Sequence, residues 1–261
     1  MIMKYKILLF LLIIGFVSIS AQEPECNNRL LMNIDFGECF FTGELKNKWS
    51  IRQDLEPYRY LSDNHTINHS TSSFYFSIKP EFRFFNNKAS VIAGIRYTRF
   101  NSDLEKDKYF HLRYKKEGTN TEFARVRSIK ETYDYIGIPV EIQYIPIQFR
   151  KIGFYVKIGT DFNFRIHSDM DMVFVNESMK QYQQEIFERI GVSTNSFYST
   201  LYSSIGVKLG KAEGVNFHFE VLLPSFVLSS NNSSLNSPDN FGGVQCSLVI
   251  PFKKAKKQIG L

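Results

Sequence analysis

Apolar and polar side chains alternate strictly in eight segments of this 261-residue chain, and this feature limits the possible fold more than any other in the sequence. Successive side chains of a β-strand point to opposite faces, whereas a helix groups residues three and four positions apart. The alternation therefore predicts strands with one apolar face. In the clearest segment the apolar positions are Phe74, Phe76, Ile78, Pro80, Phe82 and Phe84, and the positions between them are Tyr75, Ser77, Lys79, Glu81 and Arg83.

The predicted strands are joined by connections that alternate between long and short. Short connections lie near residues 86–89, 146–151 and 211–213, and four longer ones, among them 166–196 and 229–241, join the remaining neighbours. A tilted strand crosses a bilayer in about 9–11 residues. We therefore predict an all-β fold, an eight-stranded antiparallel up-and-down transmembrane β-barrel with long extracellular loops and short periplasmic turns. The predicted strands are 29–42, 73–85, 90–100, 131–145, 152–165, 197–210, 214–228 and 242–252.

The alternation shows two faces but not which of them points outward. The chain holds 25 Phe and 14 Tyr, and the interior of an eight-stranded barrel is only wide enough for its own side chains. We therefore predict that the apolar set faces lipid, because a closed barrel satisfies every backbone group of a sheet in a bilayer. Tyr97 and Tyr144 fall near strand ends, where an interfacial aromatic girdle is expected. The alternative is a soluble exported barrel that binds an apolar ligand.

If the apolar set faces lipid, the polar set lines the lumen. Its six basic and five acidic residues nearly balance, and each buried charge needs a partner because an unpaired one is strongly destabilising. We predict a packed polar core rather than a pore, with Tyr75, Tyr155, Tyr198 and Tyr202 beside it. The charged and histidine members of this structural network are Asp35, Lys79, Glu81, Arg83, Arg96, Glu141, Lys157, Asp161, Arg165, Lys208, His218 and Glu220.

The first residues predict export. Two lysines and no acid precede the apolar run 7–17, and small residues follow up to Ala21, which is the pattern of a secretory signal peptide. An uncleaved anchor is the alternative, but a spanning helix needs about 20 apolar residues. We expect residues 1–21 to be the signal peptide, 22–252 the outer-membrane barrel domain and 253–261 a basic, solvated C-terminal tail.

One long connection has helical spacing. Met179, Tyr182, Ile186 and Ile190 recur three and four residues apart after Asn176, a residue type that caps helices. We predict a short helix folded over the mouth of the barrel.

Residues that could carry catalysis or hold a metal form no recognisable motif. His167, Ser168 and Asp169 are triad residue types in tandem, but neighbours on a strand point to opposite faces. His65 and His69 have a spacing that suits a metal only on a helix, and the Ser, Thr and Asn residues around them predict an irregular loop. We therefore predict no catalytic residue, no cofactor and no metal.

The cysteines do not form a disulfide framework. The chain has 3 Cys, which permit at most one disulfide. Cys39 falls on the polar set and Cys246 on the apolar set, so their thiols are expected to face opposite sides of the wall although the first and last strands are neighbours. We predict no disulfide between them.

One strand resembles a known family. The run Tyr135-Ile136-Gly137-Ile138-Pro139-Val140-Glu141-Ile142-Gln143-Tyr144 is similar to a strand of PorT-like outer-membrane β-barrel proteins, and a glycine-spaced strand, Gly153 to Gly159, follows it as in that family. The resemblance implies an eight-stranded membrane barrel. It transfers no catalytic residue, and the roles suggested for the family range from secretion support to unknown.

These observations favour a non-enzymatic protein of the bacterial outer membrane. We expect surface loops that bind a partner or support envelope or secretion machinery, contact with outer-membrane lipid, and a monomeric barrel. The formal net charge of +6 is too small to indicate nucleic-acid binding. An outer-membrane lipid-modifying enzyme is the alternative within the same fold.

Overall fold

The computed structural model describes residues 29–45, 51–52, 68–115, 121–149, 151–190, 195–210, 214–228 and 235–252. The predicted signal peptide and basic tail lie outside these residues, as do Cys26 and His65. The described strands are β1 (Arg29–Leu45), β2 (Ile51–Arg52), β3 (Asn68–Phe84), β4 (Ala89–Ala93), β5 (Ile95–Lys115), β6 (Thr121–Phe149), β7 (Ile152–Phe174), β8 (Phe197–Leu209), β9 (Asn216–Val227) and β10 (Asn236–Pro251).

The strands form one antiparallel sheet that closes on itself. From β5 to β10 each strand pairs with the next one in the chain, β3 pairs with both β4 and β5, and β1 pairs with β3 along one edge and with β10 along the other. A ring of hydrogen bonds therefore surrounds an interior, which we call the lumen. The prediction of an all-β, antiparallel, closed fold is confirmed.

The described residues form ten strands rather than the eight predicted. β2 is only 2 residues long and pairs with the end of β5. β4 and β5 both lie between β3 and β6 and are separated at Gly94. The amide N–H of Gly94 donates to the Pro139 carbonyl oxygen at 3.3 Å. A Cβ at this position would lie 2.2 Å from the carbonyl oxygen of Ile78, so the close backbone approach requires glycine.

The strands are staggered around the ring. Starting from Glu38 and following directly paired residues in one direction leads to His167 on β7, and in the other direction to Val156 on the same strand. The strands are therefore tilted relative to the barrel axis, as closure of a sheet requires. The intermediate residues are Phe74, Arg99 and Asp134 in the first direction and Val244, Val221 and Ile205 in the second.

Three strands continue far beyond their predicted ends, so much of the predicted loop structure near residues 101–130 and 166–174 is wrong. β5 runs to Lys115, β6 starts at Thr121 and β7 runs to Phe174. The period of two was hidden by irregularities in the pairing. The register of β6 shifts relative to β5 between Glu105 and Phe110 and relative to β7 between Asp134 and Tyr135. Each shift reverses the inward set on one strand only: β6 buries Val126 but then Ile129, and β7 buries Asn163 but then Met172.

The two ends of the ring differ. At one, the turn end, residues 85–88 connect β3 to β4, and Phe85, Asn86 and Asn87 all have positive φ. At the other, the helix end, a 3-10 helix (Glu177–Tyr182) leads into α1 (Gln183–Ile190). The side chain of Asn176 accepts a hydrogen bond from the Ser178 amide at 3.1 Å and caps the first turn. No helix among the described residues is long and apolar enough to cross a membrane.

The wall is irregular where β9 contains Pro224. The register with β8 shifts between Leu201 and Ser204, and the register with β10 shifts between Phe241 and Gly243. Proline has no N–H to donate to a neighbouring strand. The hydroxyl of Ser225 donates to the Leu223 carbonyl oxygen of the same strand at 2.6 Å.

Candidate functional site

The outer face of the ring is a belt of exposed apolar side chains. Phe36 is 61% exposed, Ile142 61%, Ile158 62% and Phe217 55%, and similar residues occur on every long strand. An apolar surface that surrounds the protein is far larger than the patch of a few hundred Å² that a soluble monomer exposes. The belt therefore needs an apolar environment.

On β5 and β6 the belt gives way to an ion pair toward the helix end. On β5 the outward side chains change from Ile95 and Tyr97 to Arg99, which pairs with Asp134 on β6 at 2.8 Å. The Tyr97 hydroxyl donates to the same carboxylate at 2.9 Å. An aromatic residue followed by an ion pair is the arrangement expected where an apolar layer meets water.

Glu141 is the centre of the charged network in the lumen. Its Oε1 accepts hydrogen bonds from Lys79 Nζ at 2.5 Å, from the Tyr202 hydroxyl at 2.6 Å and from Arg96 Nη2 at 3.3 Å, and Lys157 Nζ lies 3.3 Å from its other oxygen. Glu141 is 1% exposed. A buried carboxylate is strongly unfavourable unless a positive charge pairs with it. Glu141 has three such partners, Lys79, Arg96 and Lys157.

Further acids share these three cations. Asp35 lies 2.6 Å from Lys79 Nζ and also accepts from Ser77 at 2.7 Å. Asp161 accepts from Arg96 Nη1 at 2.5 Å, and the Arg96 guanidinium lies 4.3 Å from the centre of the Tyr75 ring. The network therefore bonds β1, β3, β5 and β7 to one another through the lumen.

Glu220 brings β9 into the same network. Its carboxylate accepts from Lys157 Nζ at 2.6 Å, from the Ser204 hydroxyl at 2.7 Å and from the Tyr155 hydroxyl at 3.0 Å. Gln245 on β10 donates to it at 3.4 Å and accepts from the Tyr75 hydroxyl at 2.8 Å. Side chains from nearly every wall strand therefore meet in one set of hydrogen bonds across the lumen.

Eleven of the twelve charged or histidine residues predicted for the lumen are buried in it. Arg165, the remaining one, is half-buried, because it lies next to the register shift between Asp134 and Tyr135 on the neighbouring strand. Neutral side chains that the same alternation marks as inward-facing are buried beside these charges, although they were not among the predicted network residues. These are Asn33, Ser77, Gln143, Asn163, Ser204 and Gln245.

Three lumen tyrosines lie directly over glycines of the neighbouring strand. Tyr75 is the cross-strand partner of Gly37, Tyr155 of Gly206 and Tyr202 of Gly159. A Cβ on any of these glycines would lie 2.2–2.6 Å from the Cζ of its tyrosine. The glycines therefore let the rings lie flat against the wall and direct their hydroxyls into the charged network.

A layer of aromatic rings closes the lumen toward the helix end. The rings of Phe100 and Tyr133 stack 4.8 Å apart, and Tyr198 meets Phe100 edge-on at 5.5 Å and Tyr135 at 4.7 Å. Phe41 contacts Phe100 and extends the layer to β1. All of these are buried or half-buried, so the layer separates the charged network from the helix end. The inward alternation of Phe41 and Phe100 in the sequence could have revealed them.

Beyond the aromatic layer, the extensions of β5, β6 and β7 form a small apolar core with α1. Ile186 of α1 is completely buried in it, and Met179 and Phe187 pack against its side. The edge of β7 is covered by Gln183, whose amide accepts from the Met172 N–H at 3.4 Å and donates to the Met170 carbonyl oxygen at 3.3 Å. The other core residues are Leu104, Phe110, Leu112, Ala124, Val126, Ile129, Met172, Phe174 and Leu235.

The residues considered for catalysis or metal binding are dispersed. His167 is exposed on the outer face opposite Asp134, whose carboxylate is engaged by Tyr97 and Arg99, while Ser168 pairs with Tyr133. The predicted irregular loop at His69 is wrong, because this residue lies in β3 and its Nε2 is 2.9 Å from the Gly43 carbonyl oxygen. Among the described residues no group of three or more His, Cys, Asp or Glu side chains could hold a metal.

The two described cysteines face different environments. Cys39 is buried in the lumen and Cys246 is exposed on the belt, and both are free thiols. Their partners across the β1–β10 pairing are Gly243 and Phe36. The wall therefore separates the two sulfurs, as the alternation in the sequence predicted.

Comparison with known proteins identifies no family. No family model matches the sequence, and no curated protein matches it. Similar solved structures include the outer membrane protein OprG from Pseudomonas aeruginosa, with 12% identity over 86% of this chain and 93% of that chain and a TM-score of 0.37. Another is the transport unit of the autotransporter AIDA-I from Escherichia coli, with 10% identity over 90% and 92% of the two chains and a TM-score of 0.25. At these TM-scores neither likeness says what this chain binds or does.

Proposed function

We propose that this chain is an integral outer-membrane barrel whose wall crosses the bilayer as eight tilted strand positions, with β4 and β5 sharing one. The observation that carries the proposal is the apolar belt on a sheet that closes on itself. Lipid is the environment that such a surface requires, and a closed ring leaves no strand edge unpaired within the bilayer. The turn end then faces the periplasm and the helix end faces the outside.

The belt also argues against a soluble exported barrel with an apolar ligand inside. Such a barrel would place its apolar set around the ligand, whereas here Phe36 and Ile158 point outward and Glu141 and Lys157 point inward. The inner face offers charges already bonded to one another rather than an apolar cavity wall.

We propose that the protein is a scaffold rather than a pore or an enzyme. The lumen is filled successively by the charged network, the aromatic layer and the apolar core under α1. This leaves the surface beyond the belt, on the helix side, as the part that meets other molecules. We infer a role in binding at the cell surface or in support of envelope or secretion machinery, in line with the resemblance of the strand Tyr135–Tyr144 to PorT-like proteins.

Cell fractionation combined with gel mobility tests the location. The protein should be recovered with outer membranes, require detergent for extraction, and migrate differently in gels before and after boiling because the closed barrel resists the detergent. Recovery in the soluble periplasmic fraction without detergent would refute the proposal.

Planar-bilayer recording tests the closed lumen. Purified protein reconstituted at high protein-to-lipid ratio should give no large, stable single-channel currents. A known porin in the same bilayers is the positive control, and reproducible steps of porin size from this protein would show that the lumen conducts.

A further inference from the structure

The turn end of the lumen holds a second polar cluster, which adjoins the network around Glu141 through the contact of His218 with the Tyr155 ring at 5.2 Å. Arg83, Lys208 and His218 are buried there together with Glu81. Lys208 and His218 are direct cross-strand partners, and Glu81, Arg83 and Lys208 all lie within electrostatic reach of His218. Arg83 and Glu81 therefore both lie close to His218 at this level of the lumen.

Glu81 engages only part of the Arg83 guanidinium. Its carboxylate accepts hydrogen bonds from Arg83 Nε and from Asn33 Nδ2, the latter at 3.0 Å. The two terminal nitrogens of Arg83, Nη1 and Nη2, are buried without a hydrogen-bond partner, and so is Nε2 of His218. Burial of a guanidinium whose Nη1 and Nη2 donors have no acceptor strongly destabilises a folded protein.

We propose that a small inorganic anion, chloride in size and charge, binds beside Nη1 and Nη2 of Arg83 and Nε2 of His218. The terminal nitrogens of a guanidinium form a rigid pair of donors, and hydrogen bonds from a charged donor to an anion are stronger than those to neutral acceptors. Arg83 and His218 are 0% and 3% exposed, so an anion beside them is enclosed by protein and must be small.

Thermal unfolding of the full-length protein in detergent tests the site in solution. At equal ionic strength, sodium chloride should raise the unfolding midpoint above that in sodium gluconate, whose anion is much larger than chloride, by at least about 2 °C and with saturation. The difference should disappear in Arg83→Met and persist in Arg99→Met, which removes an arginine from the outer face. Equal midpoints in the two salts for the wild-type protein would overturn the proposal.

Bromide replaces chloride in a second test that does not depend on a variant folding. Crystals grown or soaked in bromide should show an anomalous peak within hydrogen-bond distance of the Arg83 terminal nitrogens. His218→Leu should weaken the peak without abolishing it. Density for water alone at this position, with no anomalous signal, would show that the buried donors are satisfied by solvent and that the anion site does not exist.

Discussion

The ring of Tyr155 lies against Gly206, its direct partner on the neighbouring strand, so closely that a Cβ on Gly206 would stand 2.3 Å from the tyrosine Cζ. The hydroxyl of Tyr155 reaches Glu220 at 3.0 Å from this position. Because Gly206 has no side chain, the Tyr155 ring can lie against it and place its hydroxyl within hydrogen-bond distance of Glu220.

Substitution of Gly206 by alanine should lower the free energy of unfolding by about 1–3 kcal/mol, the usual cost of forcing atoms into a packed interior. The added methyl group would displace the Tyr155 ring and also meet the Phe219 carbonyl oxygen at 2.7 Å. Gly153→Ala is the control, because its nearest contact would be an ordinary 3.4 Å from Ile145 Cγ2. Urea titration of both variants in detergent measures the difference, and equal stabilities would show that the ring can move without cost.

Removal of the carboxylate at Glu141 should be among the most destabilising single changes in the lumen. Glu141→Gln leaves Lys79, Arg96 and Lys157 short of a shared acceptor, and a buried ion pair that loses one partner costs about 3–5 kcal/mol. Glu141→Ala and Arg83→Ala should act in the same direction. The temperature at which the folded gel band disappears reports the loss.

The Glu141 and Arg83 variants should still conduct no ions, because the aromatic layer around Phe100 is unchanged.

Glu105→Gln, at an exposed position of β5, is the matched control for stability and should unfold like the wild-type protein. A Glu141 variant as stable as this control would mean that the network contributes nothing to the fold.

A charged side chain placed on the belt should destabilise the folded protein more, the closer it lies to the bilayer midplane. Ile158 is 62% exposed on the outer face, and a lysine there should destabilise the protein in lipid vesicles by about 2–4 kcal/mol if it lies near the bilayer midplane. Asn101→Lys, at an exposed position of β5 two residues beyond Arg99, should have little effect. Comparable stabilities of the two variants in vesicles would place Ile158 outside the bilayer.

Gln183 should protect the edge of β7 from pairing with another chain. Its amide occupies the hydrogen-bonding groups of Met170 and Met172 as a neighbouring strand would, and exposed edges of this kind promote association. Gln183→Ala should speed hydrogen exchange at Met172 and increase oligomers at high concentration. Gln184→Ala removes only a contact with Glu188 at 3.2 Å, so exchange at Met172 that is unchanged in both variants would exclude the role.

The sequence was informative wherever the alternation ran without interruption. From Phe154 to Phe164 on β7 every second side chain points outward, and both the strand and its faces follow from the pattern alone. The pattern failed where the register shifts, as on β7 opposite Asp134 and Tyr135, because the extra residue Ile166 reverses which β7 side chains face the lumen.

The choice of partners within the lumen could not be read from the sequence. Lys79 and Glu141 are 62 residues apart, and they meet because the strands are staggered around the ring, a property of closure that no local pattern contains. The alternation predicted that both side chains point inward. Which carboxylate each cation contacts depends on the tilt of all the strands together.

Closure between β1 and β10 makes the order of events in folding depend on the far end of the chain. β1 can pair along one edge with β3 as soon as both exist, but its other edge has its partner only in residues 236–251. Pairing across such a separation in sequence is slow. Until it occurs, two strand edges are open, and a bilayer offers no water to satisfy them. A chain in which β10 has not yet paired with β1 is therefore prone to aggregate. The other strands form a stable barrel only after this last pairing.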